Sequence, residues 1–428
     1  MTRCAALLGA ILLALAQVPG PVAADHGGRD IGSLFACDRP GVSPPRCTSV
    51  ADGRRHSVVF DETLTDGLAS SLRDAMAEDY GGTQLELIEQ ESVTDDTDVI
   101  VFSEDYGDNG AAGWVYCPPD APQGVNRWGD RWCRHQELYL NLNPRYAGFF
   151  ADDESRDYVA CHELGHTVGL RHWGNPPRSA EPTAATCMNA DTPDGPSDLH
   201  QIDVDHIDGY RYTRIPLNRP RMLDDIDPRP NDGRLVSAWP GPSVQATEVE
   251  QFGSLAEMAD GADAVIRGRI EAVTPGRSFG GASGHPLRYA SVTLHVDDLL
   301  AGRLPAAHAR SVTLEVPLFG GAGEIASWSA SVPGIFFLRS KATSAADAGL
   351  PAAVQDRESA YYRLVVLNAA ILDDHGTAIV ADGDHAFLAA LEGLRFEDVA
   401  LIVDRAAADG PGGGAARVRP APSGCHRP

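Results

Sequence analysis

The chain has 428 residues, enough for two domains that each bury a core, and carries 60 Asp and Glu against 35 Lys and Arg, a formal charge of −25. Nucleic acid and anionic membrane are recognised by concentrated positive charge, so this balance excludes both as partners. The acids are scattered rather than blocked, as on a solvated surface.

Arg3, the apolar run Cys4 to Val18 and Val22-Ala23-Ala24 have the basic, apolar and small-residue zones of a secretory signal peptide. Cleavage is expected after Ala24, which makes 1–24 the signal peptide, 25–53 a short lead or propeptide, and the mature protein secreted and extracellular. A retained N-terminal anchor is the alternative; no second apolar stretch follows, so no membrane association is expected after cleavage. Without Cys4 an oxidising compartment holds Cys37, Cys47, Cys117, Cys133, Cys161, Cys187 and Cys425. Neighbour logic pairs Cys37 with Cys47 and Cys117 with Cys133, and a Cys161–Cys187 bond would then follow, with Cys425 free or intermolecular. Cys161 as a buried, unpaired thiol is the competing reading.

Ser57 to Asp61 reads as a strand, and Asp66 to Tyr80 as a helix with Leu68, Leu72, Ala75 and Met76 on one face. Gln84 to Glu89 and Asp98 to Ser103 read as strands. Asp152 to Ala160 supplies helix-starting acids and then apolar residues.

That helix runs into His162-Glu163-Leu164-Gly165-His166-Thr167-Val168-Gly169-Leu170-Arg171-His172. Four residues apart, His162 and His166 share a helix face and can chelate one ion. Gly169 permits a backbone conformation that lets the chain leave the helix and return His172 as a third ligand. The HExxHxxGxxH spacing is that of a Zn²⁺ site with one open position, where the ion brings the pKa of a coordinated water to roughly 7. Glu163 sits beside the first ligand, where its carboxylate can reach that water as general base.

These residues resemble the zinc signature of the metzincin metallopeptidases, and most closely that of the matrixin, or matrix-metalloproteinase-like, branch. The resemblance implies a methionine turn beneath the metal, matched by Thr186-Cys187-Met188-Asn189, a substrate-holding edge strand, matched by Gly113 to Pro118, and the strand after it, matched by Glu137 to Asn143. It spans roughly residues 54–212. Trp173, after the third histidine, matches no particular branch. Pro44-Pro45-Arg46-Cys47 is similar to the matrixin cysteine switch, with a local Cys37–Cys47 disulfide as the preferred alternative.

Ser197 to Tyr210 carries Leu199, Ile202, Ile207 and Tyr210 at helical spacing, with Ser197 as N-cap, while His135, His200 and His206 read as surface or packing residues. Residues 213–246, with Ile215-Pro216, Arg219-Pro220, Asp227-Pro228 and Arg229-Pro230, form a Pro-rich linker. From 247 to 406 a helix near Ser254 to Ala262 precedes strands at Ala264 to Val273, Ala290 to Val296, Ser311 to Val316, Gly334 to Leu338, Tyr362 to Leu367 and Thr377 to Ala381, with closing helices over Ala386 to Ala406. This set suggests a small mainly-β barrel, and Ala264 to Ile270 resembles oligonucleotide/oligosaccharide-fold-like barrels and netrin-like inhibitors. Residues 407–428, dense in Gly and Pro, are expected to be a disordered tail.

The expected fold is therefore α+β: a metzincin-like domain over 54–212, with a twisted mixed sheet over the active-site helix, then a smaller barrel-like domain. The expected function is zinc-dependent endopeptidase, with metal ligands His162, His166 and His172, catalytic Glu163, and an extended polypeptide substrate paired to the edge strand. Asp95-Asp96, Asp152-Asp153 and Asp203-Val204-Asp205 are candidate Ca²⁺ donors, none with calcium-loop spacing. Two other functions compete: an extracellular binding protein on a metzincin scaffold, and a zinc hydrolase of a non-peptide amide.

Overall fold

The computed structural model describes residues 49–118, 121–125, 131–170, 172, 186–189, 196–210, 212, 245–318, 325, 331–380 and 385–409. The expected signal peptide, Cys37, Cys47, Trp173, the linker up to 244 and Cys425 lie outside them.

The first unit is a mixed six-stranded sheet. In chain order its strands are β1 (Arg55–Phe60), β2 (Glu86–Gln90), β3 (Val99–Glu104) and β4 (Ala111–Tyr116); then follow a small hairpin, β5 (Gln123–Val125) and β6 (Arg131–Cys133), and β7 (Gln136–Asn141). The sixth member is β8 (Gln245–Glu248), and the order across the sheet is β2-β1-β3-β7-β4-β8. β1, β2, β3 and β7 run parallel, whereas β4 is antiparallel to β7 and β8 antiparallel to β4. Residues 245 and 246, read from sequence as the end of a linker, are thus strand residues hydrogen-bonded to the sheet of the first unit.

Helix α1 (Asp66–Asp74) starts where the Thr65 hydroxyl accepts from the Leu68 amide, and continues as a wider turn over Ala75–Asp79. Leu68, Leu72, Ala75 and Met76 are all buried, as their spacing predicts. Helix α2 (Asp153–Val168) is capped by Asp152, whose Oδ1 accepts from the Ser155 amide at 2.9 Å, and ends at Gly169, which is left-handed at φ 99°. A Cβ at Gly169 would also lie 2.7 Å from Val50 Cγ1, so both conformation and space demand glycine there. From Tyr158 to Val168 every side of α2 is buried, against a core that includes Val99, Val101, Leu138 and Leu140. Helix α3 (Gln201–Gly209) begins three residues later than expected, because the N-cap is His200 rather than Ser197. The His200 Nδ1 accepts from the Ile202 amide, and Asp203 returns a bond to the His200 amide.

The second unit opens with α4 (Leu255–Gly261), capped by Ser254. Two long strands follow, β9 (Ala264–Phe279) and β10 (Leu287–Gly302), with β11 (Ser311–Leu318) and β12 (Pro333–Ser340) beyond them. Two short helices, α5 (Lys341–Asp347) and α6 (Ala352–Glu358), lead to β13 (Tyr361–Leu364), β14 (Ala370–Asp374) and β15 (Thr377–Val380), and α7 (Ala386–Ala389) and α8 (Phe396–Asp409) close the unit. β13 pairs with both β11 and β12, so β13-β11-β10-β9-β12 returns on itself as a closed ring around Val292, Leu294, Leu314 and Phe336. Val292 and Leu294 of β10 are buried and Val296 partly so, with Ser291, Thr293 and His295 between them on the more exposed face.

An aromatic layer joins the two units. Phe102, Tyr106, Trp114 and Tyr139 of the first pack on Leu287, Tyr289 and Leu367 of the second, and the Tyr289 hydroxyl donates to the Tyr106 carbonyl at 2.7 Å. Beside it lies a charge cluster around the buried Arg363: Arg363 Nε donates to Asp108 Oδ1 at 2.8 Å, and Glu250 faces Arg145, Arg339 and Arg363 at 2.6, 3.3 and 3.2 Å.

Candidate metal centre

The helical spacing of α2 stacks His162 over His166, and the turn at Gly169 returns His172 to both. The three Nε2 atoms converge: His162 to His166 and His162 to His172 are each 2.9 Å, and His166 to His172 is 3.1 Å. His162 Nδ1 lies 2.7 Å from the Cys187 carbonyl, and His166 Nδ1 lies 2.9 Å from the Leu170 carbonyl. A carbonyl can only accept, so both rings carry their proton on Nδ1 and turn a bare Nε2 lone pair inward. Lone pairs facing one another at 3 Å repel unless a cation lies between them. The donor set therefore fits one metal ion about 2.0–2.1 Å from each nitrogen, with backbone carbonyls orienting the ligands from behind.

Electrostatics point the same way. Burial holds the His162 imidazole down to about 4, against the pull of its Cys187 bond. Burial and the neighbouring rings hold His166 well below the usual range, and for His172 the neighbours are His162 and His385 of the second unit. Neutral imidazoles at neutral pH are the protonation state that binds metal.

The floor of the site is built from the turn that follows. Met188 is fully buried and its Sδ packs against Gly165, where a Cβ would collide with it. A Cys161–Cys187 disulfide ties this turn to α2, and Tyr80 donates to the Cys161 carbonyl at 2.7 Å. The same Cys187 thus supplies both a covalent tie and the carbonyl that orients His162. A second disulfide, Cys117–Cys133, joins the end of β4 to the β5–β6 hairpin. Both pairings agree with neighbour logic, and a free Cys161 thiol is ruled out.

Glu163 is buried with the ligands. Its carboxylate lies against β4, so near that a Cβ on Gly113 would be 2.7 Å from Oε1. Oε1 accepts two hydrogen bonds from Thr247 of β8, from the amide at 3.0 Å and the hydroxyl at 2.6 Å, while the buried Oε2 has no hydrogen-bond partner among the described residues. Burial raises the Glu163 carboxyl to about 8, and the Thr247 bonds act against that rise.

Neither a protein-family model nor a curated protein matches the chain. Among solved structures it is similar to high choriolytic enzyme 1, a hatching enzyme zinc-protease from the medaka fish Oryzias latipes. The identity is 14% and the TM-score 0.24, covering 42% of this chain and 97% of that one. A distant structural neighbour is thus a zinc protease. What the site can do follows from the triad itself rather than from that likeness.

Of the acids expected as Ca²⁺ donors, Asp152 caps α2, Asp203 accepts from the Thr186 hydroxyl and the His200 amide, and Asp205 accepts from Gln201. Among the described residues, His162, His166 and His172 form the cluster of three or more such donors within 4.8 Å of one another. Of the histidines read as ordinary, His200 caps α3, His206 is buried, and the His135 ring meets the Thr94 carbonyl at 2.9 Å. The residue that sequence reading missed is Thr247. Its four-residue strand is too short for a periodicity, and its partner, Gly113, lies more than a hundred positions away.

Proposed function

We propose that the protein is a secreted zinc-dependent endopeptidase of the metzincin type, most similar to the matrixin branch. His162, His166 and His172 would hold the zinc, which when bound supplies Lewis acidity to a water and to a scissile carbonyl. Glu163 takes the proton of the attacking water and passes it to the departing amine nitrogen. Its place against Gly113 sets the carboxylate beside the backbone of β4, the strand that would pair with an extended peptide.

The observation that carries the reading is the convergence of three Nε2 atoms within 3.1 Å, with two of the rings fixed through Nδ1. Both disulfides accord with an extracellular protein, and no described helix is long and apolar enough to cross a membrane. The test is prolonged incubation of an unfolded protein with the purified chain and with Glu163→Gln, zinc content being determined for both. Internal cleavage that is blocked by chelator and lost in a zinc-loaded Glu163→Gln supports the reading. Equal cleavage by both proteins removes Glu163 from the chemistry.

A further inference from the structure

Resting on that reading, we infer that β8 is a built-in plug: the chain's own residues 245–248 occupy the edge of β4 where a substrate strand would lie, and Thr247 fastens that segment to the general base. Three observations place it there. β8 pairs antiparallel to β4, with Thr247 opposite Gly113, Ala246 opposite Trp114 and Gln245 opposite Val115. An incoming extended peptide needs those same β4 backbone groups. Ala246 and Thr247 are each 2% exposed, so the segment is sealed in rather than laid on the surface. Thr247 also spends both its donors on Glu163 Oε1, which ties the plug directly to the proposed general base.

The second unit holds the plug. Next to Thr247, Glu248 accepts from the Leu367 amide at 2.9 Å, and the Val249 amide donates to the Gly110 carbonyl at 2.9 Å. Glu250 is gripped by Arg145 of the first unit and by Arg339 and Arg363 of the second. Withdrawal of β8 therefore requires the two units to shift at a partly buried ionic contact, which makes the barrel-like unit a restraint on the peptidase. In the plugged state zinc can still load, because Thr247 touches Glu163 and none of the three histidines.

The experiment compares the full zinc-loaded chain with Thr247→Val, which removes one donor, Thr247→Pro, which removes both, and Thr247→Pro/Glu250→Arg, which also sets like charge against the arginine grip. Cleavage of a quenched extended peptide is read beside hydrogen exchange of the β4 amides 111–115, and each protein is repeated with Glu163→Gln. The expected result is a progressive rise in cleavage, tenfold or more in the proline variants, together with faster exchange in β4, the rise disappearing with Glu163→Gln. Equal cleavage by wild type and all variants would overturn the plug and leave the peptidase intact. Freed β4 amides with full zinc and no cleavage anywhere would overturn the peptidase reading, and the plug with it. Unchanged exchange in the double variant would show that Thr247 and Glu250 do not hold β8, which also refutes the inference. Scission between Ala246 and Thr247 in the wild type, seen by intact mass, would make the segment a substrate and not a plug.

Discussion

Glu163 and Gly113 are in van der Waals contact across the gap between α2 and β4, and the contact exists because Gly113 has no side chain. A Cβ there would sit 2.7 Å from Oε1 and 2.8 Å from Cγ of the glutamate. The position of the candidate base is therefore set by a residue on β4, the strand proposed to pair with an extended peptide.

Gly113→Ala should accordingly displace the carboxylate by some tenths of an ångström while leaving the histidines in place. The expected outcome is a fall in turnover of tenfold or more with zinc content unchanged, since misplacement of a reacting group by about 1 Å costs on the order of a hundredfold. Steady-state kinetics beside metal analysis checks it; unaltered turnover would show that Glu163 has room to spare.

Gly165 faces Met188 Sδ and Tyr80 Oη, the latter 3.0 Å from where a Cβ would be. Gly165→Ala overpacks the floor of the site and is expected to cost about 1–3 kcal/mol in urea unfolding and to weaken zinc binding. The two effects should appear together, because Tyr80 is bonded to the Cys161 carbonyl and Cys161 is tied to the turn that orients His162.

The Cys161–Cys187 bond closes a loop of 26 residues. Replacing both cysteines by Ala is predicted to remove about 3–4 kcal/mol of stability by the loop-entropy relation. Zinc affinity should fall as well, by about ten- to a hundredfold, since the Cys187 carbonyl loses its tether behind His162. Competition with a graded series of chelators measures the second effect separately from the first.

Acid should weaken the contact between the two units. Burial alone would raise the Asp108 carboxyl, yet Arg363, Arg145 and Lys341 outweigh it and hold it at about 2, below its ordinary 3.8. A carboxyl lowered on folding stabilises above about pH 4, and that contribution, about 2 kcal/mol, disappears as pH falls from 4 through 2. Asp108→Asn should be less stable than wild type by urea unfolding at pH 6, and the difference should shrink to less than half by pH 2.5. A constant difference across that range would deny Asp108 its role.

The chemistry was more legible in the sequence than the topology that governs access to it. The i, i+4 pair His162 and His166, the stop at Gly169 and the buried face of α1 are local patterns, and local patterns survive in a linear reading. The β5–β6 hairpin has three-residue strands fixed by the Cys117–Cys133 bond, not by alternation. Strand β14 and helices α5 and α6 went unread because tertiary contacts define them. Lys341, for instance, begins α5 fully buried, with its ammonium 2.7 Å from an equally buried Glu315, a placement its residue type does not announce. Strand β8 is the extreme case, a four-residue segment whose structure comes entirely from the distant strand it joins.

The central claim is that three converging imidazoles form a zinc centre, and the most direct measurement is the metal content of the purified, folded chain beside His166→Ala. The account predicts one zinc per chain in the wild type, removable by chelator and restored on re-addition, and less than a tenth of that in the variant. A folded wild-type chain that holds no zinc after equilibration with the ion, or a variant that holds as much, would contradict it.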